Sequence, residues 1–405
     1  VHLECISCGE RYLASEIIYT CRRCGDLLDV LYDYETASRA FNSSGWRQRP
    51  LNVWRYRELL PLSASAPVVF LSEGGTGLIH CRRLGEELGL SRLYVKNEGE
   101  NPTGSFKDRG MTVGVSKALE LEAKTVICAS TGNTSASLAA YAARAGLDCV
   151  VLIPAGRVAL GKVAQAVMHG AKVVTVRGSF DEALAAVRQL AAEPGLYLLN
   201  SINPFRLEGQ KTAAYEVWDQ LGERPPDKVV LPVGNAGNIS AYWKGFRELE
   251  LLGLADSHPA MIGVQADGAR PVADAFEANA KEIRPVADPQ TVATAIRIGN
   301  PVSWKKALAA MRQSGGDAET VTDAEILEAQ RVMARREGIF TEPAGAAPVA
   351  ALRRLKEREV IGRDDLVVCV ATGHGLKDPE TALKSCTEPI EVDAKLEALR
   401  RVVGV

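Results

Sequence analysis

The sequence contains no apolar run long enough to span a bilayer, no low-complexity tract and no internal repeat. The first residues lack the apolar stretch of a secretory signal. Charge of one sign is missing too: 48 Lys and Arg stand against 50 Asp and Glu, a formal net charge of −2. That balance gives no global pull toward nucleic acid or an anionic membrane, and neither is expected as a partner. The nine cysteines do not form a disulfide framework spread along the chain. Cys128, Cys149 and Cys369 sit inside apolar, strand-like runs, which points to a reducing, cytoplasmic setting. What remains is a soluble globular composition, 46% hydrophobic and 24% charged, over 405 residues. That length holds two ordinary domains and leaves room for a small appendage.

The appendage is written into residues 1–30. Cys5-x2-Cys8 and Cys21-x2-Cys24 are separated by twelve residues, and each pair is followed by a glycine, Gly9 or Gly25. Glycine lets the chain turn tightly, so that backbone N–H groups approach thiolate sulfur. Two such knuckles supply four soft ligands for a tetrahedral zinc ion, and four thiolates leave no open coordination position. The zinc expected here is therefore structural. The alternative is four reduced thiols with no metal.

From 112 to 201 short apolar runs alternate with helix-compatible ones. Val126–Cys128 precedes a helix over 135–144, Cys149–Ile153 one over 159–168, and Val173–Val176 one over 181–192, with Leu196–Leu199 closing the series. Such βαβ units predict a parallel sheet covered on both faces. The same alternation resumes after 202, through Val229–Leu231, a helix over 239–252 and Met261–Val264. It ends with a helix opened by a Thr322-x-x-Glu325 capping box and stopped near Gly338, a helix over 345–358 and the strand Leu366–Val370. Leu93–Lys96 is a further strand. The connecting region 31–66 carries Trp46 and Trp54, expected to pack it onto the main body. The predicted domains are 1–30, then 31–111 with 202–405, and an inserted 112–201.

Ligands of open α/β sheets bind beyond the carboxyl ends of strands, and four loops lie there. Asn101-Pro102-Thr103-Gly104 is a turn that leads into a helix entered at Lys107. Backbone N–H groups and the positive end of the helix dipole weaken a lysine's hold on its proton. Burial weakens it further, toward the neutral amine that Schiff-base chemistry needs. Taken alone, a lysine there is more often a solvated first-turn residue. Ser130–Thr134 follows a strand and opens a helix, where its polar groups either face a ligand or cap the helix. Gly234-Asn235-Ala236-Gly237-Asn238 either converges its N–H groups on an anion or forms an ordinary strand–helix turn. Thr372 follows the last strand. Nearby His374 suits loop-fixing or packing better than general-base work.

The segments Asn101–Gly110, Leu231–Gly245, Ala371–Pro379 and Asn200–Thr212 closely resemble those of the threonine synthases. These are pyridoxal-phosphate enzymes of the tryptophan synthase β-subunit class. Val158–Gln165, Ala293–Pro301 and Gly338–Ala344 match as well, and the resemblance spans about residues 68–380. It implies an α/β fold of two open twisted sheets with covering helices, the fold type II of these enzymes. The small N-terminal zinc ribbon of four cysteines (Cys5, Cys8, Cys21, Cys24) lies outside it. Lys107 is then the catalytic lysine that holds pyridoxal 5'-phosphate as a Schiff base. Gly234, Asn235, Ala236, Gly237 and Asn238 form its phosphate cup, Asn133 contacts its 3-oxygen, and the Thr372 hydroxyl faces its ring nitrogen. Thr134, Asn200, Ser201 and Arg206 match the segment that binds substrate phosphate. The implied reaction converts O-phosphohomoserine and water to L-threonine and phosphate in a homodimer. Two departures from the family pattern are Gly77, where proline is usual, and Gly345-Ala346, where serine-alanine is usual. The alternatives are a cysteate synthase acting on O-phosphoserine or a threonine/serine dehydratase. A non-catalytic zinc-ribbon regulator is opposed by the intact Lys107, glycine loop and Thr372.

Overall fold

The computed structural model describes residues 1–155, 160–177, 187, 189–190, 193, 195–384 and 389–403. The N-terminal segment folds as a small antiparallel sheet of β1 (His2–Cys5), β2 (Arg11–Leu13) and β3 (Leu28–Leu31), with β1 in the middle. After β4 (Leu78–His80) and β5 (Arg92–Asn97) come β6 (Thr125–Ala129), β7 (Asp148–Pro154), β8 (Lys172–Val176) and β9 (Leu196–Leu198). These last four form a parallel sheet in the order β8-β7-β6-β9. The chain then adds β10 (Lys228–Pro232), β11 (Ala260–Ala266), β12 (Asp317–Val321) and β13 (Leu366–Ala371). They join β5 and β4 in a second sheet, ordered β12-β11-β10-β13-β5-β4 and parallel except for β4. The helix expected over 181–192 lies for most of its length outside the described residues, as do Val158 and Ala159. Among the described residues no helix is long and apolar enough to cross a membrane.

Local signals act where the sequence places them. The Thr322 hydroxyl accepts the Glu325 N–H at 3.2 Å and the Glu325 carboxylate accepts the Thr322 N–H at 2.8 Å. This box opens the helix Asp323–Glu337, and Gly338 closes it at φ 70°. Trp46 is buried against Phe41, ring centroids 4.8 Å apart, and beside Trp218. Trp54 donates its indole N–H to Glu73 at 3.1 Å and Thr112 at 3.0 Å.

The helix Lys107–Glu120 is buried on every side from Asp108 to Ala118, as its small and apolar residues allow. It packs closely on the helix Pro204–Gln210 because glycine stands at the crossing. A Cβ on Gly209 would lie 1.8 Å from the Arg109 carbonyl oxygen, and one on Gly110 would lie 2.9 Å from that of Arg206. The crossing thereby sets Arg206 at a fixed height beside Lys107.

Arg109 locks the start of that helix. Its guanidinium meets Glu98 at 2.6 Å and Glu216 at 2.7 Å, and Lys96 of β5 joins Glu216 at 2.9 Å, all four side chains with no exposed surface. Burial alone would raise the Glu216 carboxyl, but the Arg109 and Lys96 charges outweigh it and hold the group down to about 2. The Glu216 contribution to stability is therefore full above the ordinary value of 4.5 and is lost as pH falls toward about 2. Removing Arg109 strands the buried Glu98 carboxylate and leaves Glu216 with Lys96 alone. Arg109→Met is expected to lower folding stability by about 3–5 kcal/mol in denaturant unfolding, and to shift acid unfolding to higher pH.

Candidate active site

The carboxyl ends of β5, β6, β9, β10 and β13 open onto one cleft of about 730 Å³ between the two parallel sheets. Lys107, Asn133, Thr134, Asn200, Ser201 and Arg206 all line it. So do Thr372 and every residue of the 234–238 loop except Ala236.

Lys107 is the first residue of its helix, partly open to the cleft and otherwise enclosed by protein. Its Nζ lies 3.8 Å from the centroid of the Phe106 ring. Burial pushes the amine down to about 7, the Arg206 guanidinium adds to the shift, and the Glu342 carboxylate opposes it. Beside it, the buried Asp108 accepts from the Thr103 N–H at 2.7 Å and the Thr103 hydroxyl at 2.6 Å, fixing the turn before Lys107. Burial raises the Asp108 carboxyl to about 6.

The loop after β10 is shaped for an anion. Ala236 takes the left-handed conformation at φ 64°, rare for a residue with a Cβ, directly before the helix Gly237–Leu251. Gly234 cannot carry a side chain, since its Cβ would lie 2.9 Å from the Ala295 carbonyl oxygen. Both polar atoms of the Asn238 amide are buried and meet no partner among the described residues. A small phosphate at this helix N-terminus fits the orphaned donor and the helix dipole.

Asn133 and Thr372 come together through a residue to which sequence reasoning gave no role. The buried Glu342 carboxylate accepts from the Asn133 amide at 3.0 and 3.2 Å and from the Thr372 hydroxyl at 3.0 Å. Its only sequence signal was its place in the Gly338–Ala344 match. Gly345 explains one departure from the family pattern. A Cβ there would lie 2.1 Å from the Thr341 hydroxyl and 2.9 Å from the Thr372 nitrogen, so a serine has no room. His374 accepts the Leu376 N–H at 3.2 Å and packs edge-on to Phe340, a loop-fixing position. Lys377, also missed, reaches across the cleft to the Thr103 carbonyl at 3.1 Å and to Gln165.

The remaining polar residues line the same cleft. Arg206 is 3% exposed, no carboxylate pairs with it among the described residues, and its Nε has no partner. Burial pushes even this guanidinium down to about 10. A buried cation left so is costly unless a ligand supplies the counter-charge. Thr134 and Ser201 line the cleft as well. Asn200 is differently engaged: its amide exchanges hydrogen bonds with the Ala129 backbone at 2.9 and 3.0 Å, tying the end of β6 to that of β9. It positions the site and keeps one N–H to spare.

Outside the cleft lining, the sulfurs of Cys5, Cys8, Cys21 and Cys24 all lie within 4.8 Å of one another. Cys5 and Cys24 are 3.3 Å apart and Cys8 and Cys21 3.5 Å, near the edge of about 3.8 Å of a tetrathiolate with metal–sulfur bonds of about 2.3 Å. Gly9 and Gly25 take φ 70° and 78°, and the Ser7 N–H points at the Cys5 sulfur at 3.5 Å. This donor set fits zinc.

Residues 69–373 match the family described as pyridoxal-phosphate dependent enzyme. The threonine synthase of Methanocaldococcus jannaschii is 58% identical, with 99% of this chain and 98% of that protein covered. That of Methanosarcina acetivorans is also 58% identical over 99% and 98%, and that of a Synechocystis species 51% over 89% and 92%. Among solved structures, the processed threonine deaminase isoform 2 of Solanum lycopersicum superposes with a TM-score of 0.65 at 23% identity, covering 76% of this chain and 86% of that one. Maize serine racemase gives 0.65 at 22% over 76% and 91%. At these identities the two structures speak for the fold alone.

The Lys107 environment yields a pH test with a definite sign. An amine of lowered pKa loses its proton on the way up through about 7, so cofactor-free protein should capture pyridoxal phosphate faster as pH rises across that value. Arg206→Ala removes one lowering charge and should move the midpoint upward, followed by the growth of visible absorbance. An unmoved midpoint would show that Arg206 does not act on Lys107.

Proposed function

The chain belongs to the threonine synthase family of pyridoxal-phosphate enzymes, and on that premise we propose that its cleft converts O-phosphohomoserine and water to L-threonine and phosphate. When bound, pyridoxal phosphate supplies an electron sink that acidifies the carbons beside the substrate amino group. Its phosphate is taken by the backbone N–H groups of 234–238, with Asn238 as the side-chain donor. Asn133 and the Thr372 hydroxyl, brought together by the Glu342 carboxylate, would be the side chains that orient its ring. A neutral hydroxyl there stabilises a protonated ring less than a carboxylate would, which keeps the sink mild.

Lys107 is the residue that handles protons. Near pH 7 its amine exists in comparable neutral and charged amounts, so it can accept a proton at the substrate Cα and deliver or remove one at Cβ. Arg206, Ser201 and Thr134 hold the substrate phosphate, and the Arg206 contact strengthens as charge builds on the departing group. Asn200 keeps these donors in register from behind. Phosphate leaves Cγ as Cβ gives up a proton, Cγ then takes up a proton to become the methyl group, and water adds at Cβ as Cα regains its proton. The four cysteines hold a structural zinc. The proposal includes a homodimer, as the family resemblance implies, in the reducing cytoplasm to which the cysteines in apolar strands point.

One observation supports this substrate: the buried Arg206 guanidinium lines the cleft near Lys107 with no carboxylate partner among the described residues, and it is not part of the 234–238 loop. A dehydratase acting on free serine or threonine has no phosphate to place there. O-phosphoserine has one, but its chain is a methylene shorter, so its reacting carbon and its phosphate cannot both be in position.

Purified protein given O-phosphohomoserine should therefore release phosphate and threonine in equal amounts, with O-phosphoserine plus sulfite much slower. Arg206→Ala should weaken substrate binding and slow elimination, since a charge-assisted hydrogen bond is worth about 1.5–3 kcal/mol. Unchanged parameters in that variant, or a faster reaction with O-phosphoserine and sulfite, would contradict the proposal.

A further inference from the structure

The four-cysteine ribbon does not hang free of the catalytic body. One of its faces is stapled to the parallel sheet β8-β7-β6-β9. The Tyr19 hydroxyl accepts the Leu198 N–H at 2.8 Å, and the Tyr19 ring meets that of Tyr197 at 5.9 Å. Leu27 and Ile6, close to the cysteine knuckles, pack with Ile127, Leu198 and Ile202. Ile202 directly follows Asn200 and Ser201.

A second face is tied to the other sheet's helices. Lys306 donates to the Leu28 carbonyl at 3.2 Å and to Asp29 at 2.9 Å, and Lys305 pairs with Asp26. These lysines follow Val302 and Ser303, whose N–H groups reach the Asn235 side chain at 3.4 Å and its carbonyl at 3.1 Å. Just past the ribbon, Tyr32 donates to Glu208 at 2.6 Å, on the same helix as Arg206. The ribbon thus backs three segments at once: the end of β9, the Arg206 helix, and the stretch that braces the cofactor loop.

We propose that the metal-held ribbon is a strap that fixes the substrate-phosphate donors relative to the cofactor loop, so that the metal governs phosphate affinity without touching any reacting atom. This rests on the assignment of Ser201 and Arg206 to phosphate made above. The strap's own strands are too short to persist without a cross-link: β1, β2 and β3 have four, three and four residues. Loss of metal frees the chain at the knuckles that frame Leu27 and Tyr19. The supports of Ile202 and Lys306 go with it. Lys107, whose helix is fixed by Arg109, is unaffected.

The test uses purified holoenzyme before and after zinc removal by a thiol-competing chelator. Zinc content, binding of inorganic phosphate by calorimetry, and hydrogen exchange are measured on both. Metal-free holoenzyme should bind phosphate about tenfold more weakly, the scale on which supporting-shell losses act. Exchange should quicken across 196–206 and 300–306 as well as 1–30, while the cofactor absorbance persists. Tyr19→Phe keeps all four thiols and should show weaker phosphate binding with zinc retained, which decides the matter if the metal-free chain precipitates. Phosphate affinity unchanged by zinc loss or by Tyr19→Phe, with faster exchange confined to residues 1–30, would overturn the strap. Because neither readout needs turnover, a failure to convert O-phosphohomoserine would refute the substrate and leave the strap standing.

Discussion

The position of Lys107 depends on a buried charge network two residues away, centred on the Arg109 guanidinium. Arg109 holds Glu98, at the approach to the Asn101–Gly104 turn, and Glu216, on the neighbouring helix, while Lys96 completes the network from β5. Each of these charges costs several kcal/mol to take out of water and is tolerable only with all partners in place. The network therefore fixes one geometry, and the first turn of the Lys107 helix inherits it. A lysine on a softer segment would find solvent and regain its ordinary proton affinity.

The cleft follows the opposite rule. Among the described residues Arg206 is nearly as buried as Arg109 but has no carboxylate, and the Asn238 amide is buried with no partner. Inside a protein these are liabilities that an anion removes. Two such sites in the cleft of one depressed lysine are what the two proposed phosphates, the cofactor's and the substrate's, would satisfy. Anions that bind the native state alone should also stabilise the fold in proportion to their occupancy.

Much of this was legible in the sequence because the informative features are local. Strands such as Val229–Leu231 and Leu366–Val370 are short apolar runs buried on both faces, and the Thr322–Glu325 box and Gly338 bracket a helix by backbone chemistry alone. The loops that line the cleft sit at strand ends, and Gly234 and Gly373 in them have evident steric causes. Other features depend on partners distant in sequence. β4 has only three residues and owes its strand form to pairing with β5. β12, Asp-Ala-Glu-Thr-Val, reads as polar until Arg358 is seen to neutralise Asp317 and Glu319. The Glu342 contacts with Asn133 and Thr372 join residues 209 and 30 positions apart, which no periodicity reports. Asn200 looked like a ligand donor, yet most of its capacity goes to Ala129.

The central claim is that the fold singles out Lys107 by leaving its amine, among the described residues, with neither a hydrogen-bond nor an ion-pair partner in a cleft lined by anion-binding groups, whereas Lys377 in the same cleft is held by Thr103 and Gln165. Lys96 and Lys211 are more deeply buried but held in ion pairs with Glu216 and Glu208. Borohydride reduction of the protein as purified, followed by digestion and mass spectrometry, locates the reduced cofactor directly. The account predicts the pyridoxyl group on the peptide containing Lys107, and its loss, with the fold retained, in Lys107→Ala. A pyridoxyl group on Lys96, Lys211 or Lys377, or none on any lysine of a protein that still turns over its substrate, would contradict it.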